Sequence, residues 1–189
     1  LAFCEWSLPL WKENFSENHK WNELNYQNGD LNTSIIKTHL GRTIMVQWDE
    51  TSPRPYTRLN LIQGTKGILA GGPTRAAFDD GFENFTKDSH KWIKDDGIKR
   101  LYEKYDHPLY KRLNEKTKDS GHGGMDGIMM YRIVECLQKG LPLDPNVYEG
   151  CAWSSLIELT ASSVNNNGEP QIFPDFTRGN WTNTNAFDI

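Results

Sequence analysis

Residues 121–144 read GHGGMDGIMMYRIVECLQKGLPLD, a glycine-rich turn that leads into a periodic apolar segment and ends on a second turn. Apolar residues recur there at three- and four-residue steps, which is the spacing of one face of a helix. That face consists of Met125, Ile128, Met129, Ile133, Cys136 and Leu137. Gly140 and Pro142 follow, and both are typical of a helix C-terminus. The sequence therefore predicts a core helix that begins after the glycine turn and ends before Gly140.

Upstream of this helix the sequence has the pattern of short β-strands. Apolar and polar residues alternate in brief runs, and turn residues separate the runs. The predicted strands are 34–38, 43–48, 58–63 and 68–70, with tight turns at 40–42 and 64–67. Gly71-Gly72-Pro73 is predicted to close the sheet.

Helical patterns dominate the remainder of the chain. Helices are predicted from about 89 to 105, from 109 to 118, and from 146 to 164, where two apolar stripes predict a well-buried helix. Strands followed by helices indicate an α+β fold, a mostly antiparallel β-sheet with helices packed on one face. We expect a single domain over residues 1–182 and a loose tail at 183–189.

Composition and charge argue against several classes of protein. The 189 residues carry a formal net charge of −4, whereas a nucleic-acid platform presents a basic face. No apolar run approaches the ~20 residues of a membrane-spanning helix, so we expect neither nucleic acid nor membrane as a partner. Hydrophobic residues at 37% and charged residues at 24% are typical of a globular domain.

The cysteines and histidines do not have the spacing of a metal site. Three cysteines are too few and too scattered for a disulfide framework or a zinc site, and the histidines are dispersed. We therefore predict no metal. Cys136 lies on the apolar helical face, which favours a buried thiol, and a bridge to Cys151 stays open as the alternative.

Four glycosylation acceptors of the form Asn-x-Ser/Thr occur, at Asn14, Asn32, Asn84 and Asn180. About two would arise by chance from the composition. The excess favours a secreted protein, although the compartment stays unknown.

Three segments taken together resemble one enzyme family. They are GHGGMDGIMMYR at 121–132, GDLNTS at 29–34 with SPRPY at 52–56, and PDFTRGNW at 174–181. The combination resembles the C-terminal portion of glycoside hydrolase family 109. These are NAD-dependent α-N-acetylgalactosaminidase-like proteins of the Gfo/Idh/MocA oxidoreductase superfamily. The resemblance implies the C-terminal sheet domain of that superfamily, whose open sheet face meets a Rossmann domain with the substrate between them.

The resemblance also implies parts that this sequence lacks. A strand–Gly-x-Gly-x-x-Gly–helix unit does not occur, because the glycines at 121–127 follow a charged segment instead of an apolar strand. The family's Tyr-Pro-Thr-His-Gly-Leu-Gly segment, which carries an active-site tyrosine and histidine, is also absent. We therefore expect a fragment of a larger protein whose missing Rossmann domain binds NAD. For this chain alone we expect no cofactor.

Tyr56 is the first candidate for substrate binding. Pro53 and Pro55 restrict the backbone on its N-terminal side, so the ring can be aimed with little entropic loss. A phenol stacks on a sugar and hydrogen-bonds a hydroxyl, and the resemblance implies that the matching tyrosine contacts the sugar. The structural alternative is a tyrosine at a strand entrance with its ring on the core.

Arg54 and His122 are the other two candidates for substrate binding. Arg54 can grip a sugar hydroxyl or a cofactor phosphate, but a structural ion pair is the favoured interpretation. His122 can face the cleft from its glycine turn. A histidine bonded to backbone near the helix N-terminus is favoured, because no carboxylate is paired with it by context.

Nearby acidic residues have structural interpretations. Asp126 falls in the first turn of the helix, where a carboxylate complements the helix dipole. Asp175 and Arg178 are predicted to clamp each other, with a role in a domain contact as the alternative. Two-carboxylate glycosidases need a pair of acids across a cleft, and no pair is singled out here. We therefore assign no catalytic residue, which is consistent with the NAD-dependent route that the resemblance implies.

Two classes of function follow. The first is the substrate-binding part of an NAD-dependent glycosidase acting on α-linked N-acetylgalactosamine or a related sugar, with an NAD(P)-dependent sugar oxidoreductase as its close variant. The second is a non-catalytic carbohydrate-binding or assembly module. In either case we expect a sugar ligand and either a homo-oligomer or a companion chain at the exposed sheet face.

Overall fold

The structure is a computed structural model that describes residues 2–3, 16–20, 31–49, 53, 55–85, 88 and 90–183. The chain divides into two compact units. The first unit combines Leu1–Arg54 with Leu143–Asp188, and the second is Pro55–Pro142. The single domain expected over 1–182 and the loose tail at 183–189 stay predictions.

The first unit contains a three-stranded antiparallel sheet in the order β1-β2-β3. Its strands are β1 (Ala2–Phe3), β2 (Leu31–Lys37) and β3 (Thr43–Asp49). The β2–β3 hairpin turns at Gly41, whose φ of 78° lies in the left-handed region that favours glycine. The predicted hairpin is confirmed, although β2 begins three residues before its predicted start.

The register of this hairpin decides which side chains share a face. Ile36 pairs with Ile44 on one face, and Ile35 pairs with Met45 on the other. Ile35 is 75% exposed and Met45 is 70% exposed. The second face of the hairpin therefore presents an apolar cross-strand pair to solvent.

The second unit contains another three-stranded antiparallel sheet, in the order β4-β5-β6. Its strands are β4 (Leu61–Gln63), β5 (Gly67–Ala70) and β6 (Arg75–Phe78). Strand β4 is shorter than the predicted 58–63 because Leu59 has a φ of 44°, which interrupts the extended backbone. The strand predicted at 68–70 is confirmed as part of β5.

Strand β6 contradicts the prediction that the sheet ends at Gly71-Gly72-Pro73. These residues lie in the turn that joins β5 to β6. The strand reads RAAF and has no β-branched residue, so its intrinsic β propensity is low. A residue outside the sheet holds the strand in place: Ile93 exchanges two backbone hydrogen bonds with Ala76 of β6, at 3.1 and 2.7 Å.

The apolar core of the second unit surrounds this backbone pair. It consists of Ala76, Phe82, Ile93, Ile98 and Leu101, with Phe78 and Phe85 packed against it. Helix α1 (Asp96–Tyr105) starts later than the predicted position near 89, because Ile93 is engaged in the bridge to β6. Gly97 permits the close approach, since a Cβ there would overlap the side chain of Ile93.

Two further helices of the second unit follow, α2 (Pro108–Thr117) and α3 (Met125–Lys139). His107 caps α2, because its Nδ1 accepts a hydrogen bond from the N–H of Leu109 at 3.2 Å. Helix α3 ends at Gly140 in the left-handed conformation, as predicted. Its apolar face is less buried than expected: of the residues named for it, Cys136 is buried while Met125, Met129 and Leu137 are exposed.

Helix α4 (Val147–Asn165) belongs to the first unit and contacts β2. Its predicted bounds agree with the structure to within one residue at either end. The prediction that it is well buried is wrong, because none of its residues is buried, and Trp153 and Ile157 are exposed. Periodicity identifies the side chains that need cover, and it does not say what covers them.

The α+β class with antiparallel sheets is confirmed. The described residues form two small antiparallel sheets and four α-helices. Within the same residues, no helix has the length and apolar character needed to cross a membrane.

The start of α4 gives a test of the local structure. Asn146 Oδ1 accepts hydrogen bonds from the N–H groups of Tyr148 and Glu149, and Glu149 Oε2 accepts one from the N–H of Asn146. We expect Asn146→Ala to lower the free energy of unfolding by about 1 kcal/mol, because two helix donors lose their acceptor. Urea denaturation measures the change. Ser154→Ala, at an exposed position of the same helix, should stay within about 0.5 kcal/mol of wild type. An unchanged midpoint for Asn146→Ala would contradict the capping box.

Candidate functional site

Tyr56 lies in the irregular segment that precedes β4 in the second unit. Its side chain is 86% exposed, so the alternative of a ring packed on the core does not hold. The Nε of Arg58 donates a hydrogen bond to Tyr56 Oη at 3.0 Å. This bond raises the pKa of the Arg58 guanidinium. Sequence reasoning missed Arg58 as a partner, although it lies only two residues after Tyr56 in the chain.

The Tyr56–Arg58 pair has the chemistry of a sugar contact. The exposed ring offers a flat face to the C–H surface of a pyranose, and the phenol hydroxyl keeps its own hydrogen for donation. The guanidinium has further N–H donors in a planar fork. Arg54, the candidate two residues before Tyr56, lies outside the described residues, and its role stays a prediction.

His122 lies in the turn before α3, also in the second unit. Its Nδ1 is 2.9 Å from Asp126 Oδ2 and 3.1 Å from Oδ1. The favoured interpretation, a histidine bonded to backbone, is therefore wrong, because the partner is a carboxylate. Asp126 also lies in the first turn of α3, so the helix-dipole interpretation of this residue is correct but incomplete.

The sequence contained the signal for this pair. His122 and Asp126 are four residues apart across a turn that becomes helical, and such residues are neighbours on a helix surface. Tyr56 and His122 belong to the same unit, yet in the described residues each binds its own partner and no hydrogen bond joins the two.

An open groove of about 500 Å³ runs between α2 and α3 in the second unit. Apolar side chains line much of it, and Arg112 and Lys116 contribute positive charge. The Arg112 guanidinium carbon lies 5.3 Å from the centre of the Tyr131 ring, a cation–π contact that occupies part of the groove.

The predicted clamp between Asp175 and Arg178 is wrong. Asp175 Oδ1 accepts hydrogen bonds from the hydroxyl and the N–H of Thr177 at 2.7 and 2.9 Å, and Oδ2 accepts one from the N–H of Gly179 at 2.6 Å. Arg178 has a φ of 53°, so the turn holds it in the left-handed conformation. The carboxylate therefore closes a local turn in the first unit.

The acceptor asparagines differ in accessibility. Asn32 is only 2% exposed and accepts a hydrogen bond from the hydroxyl of Ser34 at 3.0 Å, so this folded state closes it to glycosylation. Asn84 and Asn180 are exposed, while Asn14 lies outside the described residues. Secretion stays a prediction.

The two cysteines that the structure describes, Cys136 and Cys151, are free thiols. Cys136 is buried, as predicted, and Cys151 is exposed, so the alternative of a bridge between them is not realised. Within the ranges that the structure covers, no group of three or more His, Cys, Asp and Glu side chains has a metal-binding arrangement.

The sequence matches a known family over most of its length. The family described as "Glycosyl hydrolase 109, C-terminal domain" matches residues 7–183. The chain is 57% identical over 181 residues to "Glycosyl hydrolase family 109 protein 1" of Akkermansia muciniphila, covering 94% of this chain and 37% of the relative. "Glycosyl hydrolase family 109 protein 2" of the same organism is 56% identical over 176 residues, covering 92% and 36%. A relative from Shewanella sp. (strain ANA-3) is 49% identical over 179 residues, covering 94% and 38%.

This chain belongs to glycosyl hydrolase family 109, and it corresponds to the C-terminal domain of that family. The resemblance stated from the sequence motifs is confirmed at the level of the family. The chain spans little more than a third of the length of the curated relatives that it matches.

The Asp175 turn predicts a dependence of stability on pH. Hydrogen bonds from the Thr177 hydroxyl, and from the N–H groups of Thr177 and Gly179, lower the pKa of Asp175. Its stabilising contribution is therefore fully present above the unfolded-state pKa of about 3.9, and it is lost as the pH falls through the lower folded-state pKa.

We expect Asp175→Asn to be less stable than wild type at pH 7 and the difference to shrink steadily below about pH 4. Urea midpoints measured from pH 7 to the lowest pH at which wild type stays folded test this. Asp119→Asn, at an exposed aspartate, controls for the loss of one negative charge. A difference that is constant with pH would mean that the carboxylate does not hold the turn.

Proposed function

We propose that this chain forms the sugar-binding part of an NAD-dependent glycosidase that acts on α-linked N-acetylgalactosamine or a related sugar. The observation that carries the proposal is the exposed ring of Tyr56, hydrogen-bonded to Arg58 in the segment that resembles the family's sugar-contacting tyrosine. Membership of a glycosyl hydrolase family supports the reaction class. Its NAD dependence and its sugar are inferences from the family resemblance.

The residues of this chain do not fit a dinucleotide site at the glycines of residues 121–127. Helix α2, and not the strand that such a site requires, comes before these glycines. A Cβ at Gly127 would overlap Ser120 and Thr117, so this glycine serves helix packing. We therefore propose that NAD is held by a part of the protein outside this chain.

The cofactor and this chain would then have separate roles in the reaction. NAD would supply transient oxidation of the sugar at C3, which acidifies the proton on C2 and permits loss of the aglycone, followed by addition of water and return of the hydride. The residues of this chain would bind and orient the sugar ring. An ordinary sugar oxidoreductase of the same superfamily is the alternative, and it would release reduced cofactor in proportion to product.

The exposed apolar pair Ile35–Met45 favours a partner for the first unit. Single exposed apolar residues are normal, but two that pair across neighbouring strands form a small apolar patch on one sheet face. We propose that the remainder of the whole protein covers this face, because the relatives are more than twice as long as the chain. The homo-oligomer is the outcome expected when that remainder is absent.

For Tyr56 we expect the substitution to Phe to separate binding from stability. Loss of one hydrogen bond to a neutral hydroxyl costs about 0.5–1.5 kcal/mol, which is about two- to tenfold in affinity. In the full-length protein, the affinity for an α-N-acetylgalactosaminide should fall by that factor with the melting temperature unchanged. Tyr105→Phe, at another exposed tyrosine of the second unit, is the control. Altered stability with unchanged affinity would show that Tyr56 is structural.

For the sheet face we expect the isolated 189-residue chain to self-associate. Light scattering should give a mass above that of the monomer, and Ile35→Ser combined with Met45→Ser should shift it towards the monomer. Ile172→Ser removes an exposed apolar side chain of the first unit that lies outside the sheet, and it should leave the mass unchanged. A monomeric wild-type chain that binds no apolar dye would contradict the proposal.

A further inference from the structure

The His122–Asp126 pair has a fixed proton arrangement. An ionised carboxylate only accepts hydrogen bonds, so a 2.9 Å contact between Nδ1 and Asp126 Oδ2 requires the hydrogen to lie on Nδ1. In the neutral imidazole, Nε2 is then left with its lone pair and is an acceptor. The side chain of His122 is 75% exposed, so this second edge of the ring is open to a ligand.

The turn around the pair is built to hold it. Four consecutive residues have positive φ: Gly121, His122, Gly123 and Gly124. Of these, only His122, at 44°, has a side chain, so its backbone conformation is the strained one. A Cβ on Gly121 would lie 2.5 Å from Asp126 Oδ2, so the carboxylate rests where only glycine leaves room. The turn therefore holds His122 in the left-handed conformation beside Asp126.

Other carboxylates at helix starts in this unit lack such an arrangement. Asp96, in the first turn of α1, bonds Lys99 Nζ at 2.9 Å and no imidazole. Helix-dipole complementarity accounts for Asp96, but it does not account for a histidine held in the left-handed conformation beside Asp126. The difference points to a role for the imidazole.

We propose that Asp126 is a positioning residue for His122. It holds the imidazole in the Nδ1–H form so that Nε2 accepts a hydrogen bond from a hydroxyl of the bound sugar. This rests on the proposed function, which supplies the sugar. It adds a specificity: Nε2 is an acceptor without a hydrogen, so the subsite selects a hydroxyl and rejects an analogue that offers only an acceptor at that position.

The test is histidine-selective ¹⁵N NMR on the full-length protein, titrated with N-acetylgalactosamine. We expect the wild-type His122 signal to show the Nδ1–H form and its Nε2 resonance to move on addition of sugar. In Asp126→Ala the imidazole hydrogen should no longer be held on Nδ1, so the other tautomer should become populated. Sugar binding should weaken about two- to tenfold, the cost of one misplaced hydrogen bond. Asp126→Glu, which keeps the acceptor, should restore part of both. Asp96→Ala should change neither.

The outcomes separate this inference from the proposed function. A tautomer and a sugar affinity that both survive Asp126→Ala, with only the melting temperature lowered, would overturn the positioning role. A wild-type His122 signal that does not respond to sugar would overturn it as well. If the protein releases no N-acetylgalactosamine from an α-glycoside while its His122 signal still responds to the free sugar, the proposed glycosidase activity is contradicted and the proposed sugar subsite is not.

Discussion

The backbone pair between Ala76 and Ile93 is the contact on which the second unit depends. Its two hydrogen bonds attach a strand of low β propensity to the segment that enters α1, and both residues belong to the apolar core. Gly97 lets the helix approach that side chain closely. Because strand β6 has little intrinsic preference of its own, the sheet edge and the start of α1 form together. A substitution at any of these positions should therefore affect both strand β6 and helix α1.

Local signals in the sequence were sufficient where the interactions are local. The β2–β3 hairpin follows from two short β-prone runs joined by a glycine turn, and the bounds of α4 follow from the Asn146 cap and the loss of periodicity after Val164. Strand β6 and the late start of α1 could not be read in the same way. Both depend on a contact between positions 17 residues apart, 76 and 93, that no local pattern encodes.

Burial and side-chain pairing were the weaker parts of the sequence-based predictions, for two different reasons. The apolar stripes of α3 and α4 are present, but among the described residues many of their side chains remain exposed. For the candidate site, Tyr56 and His122 were considered one at a time. Their partners, Arg58 and Asp126, lie two and four residues further along the chain, within the reach of simple spacing rules.

Both exposed rings are thus oriented by partners from their own segments. A ring whose rotamer is already restrained loses less conformational entropy on binding, so more of its contact energy appears as affinity. Arg58 holds the Tyr56 hydroxyl, and a positive-φ turn and Asp126 hold His122. These restraints all come from within the second unit, so the two rings are oriented by that unit itself. Under the proposed function, a cofactor held by another part of the protein would meet a ring surface that already exists, and docking would not have to create that surface.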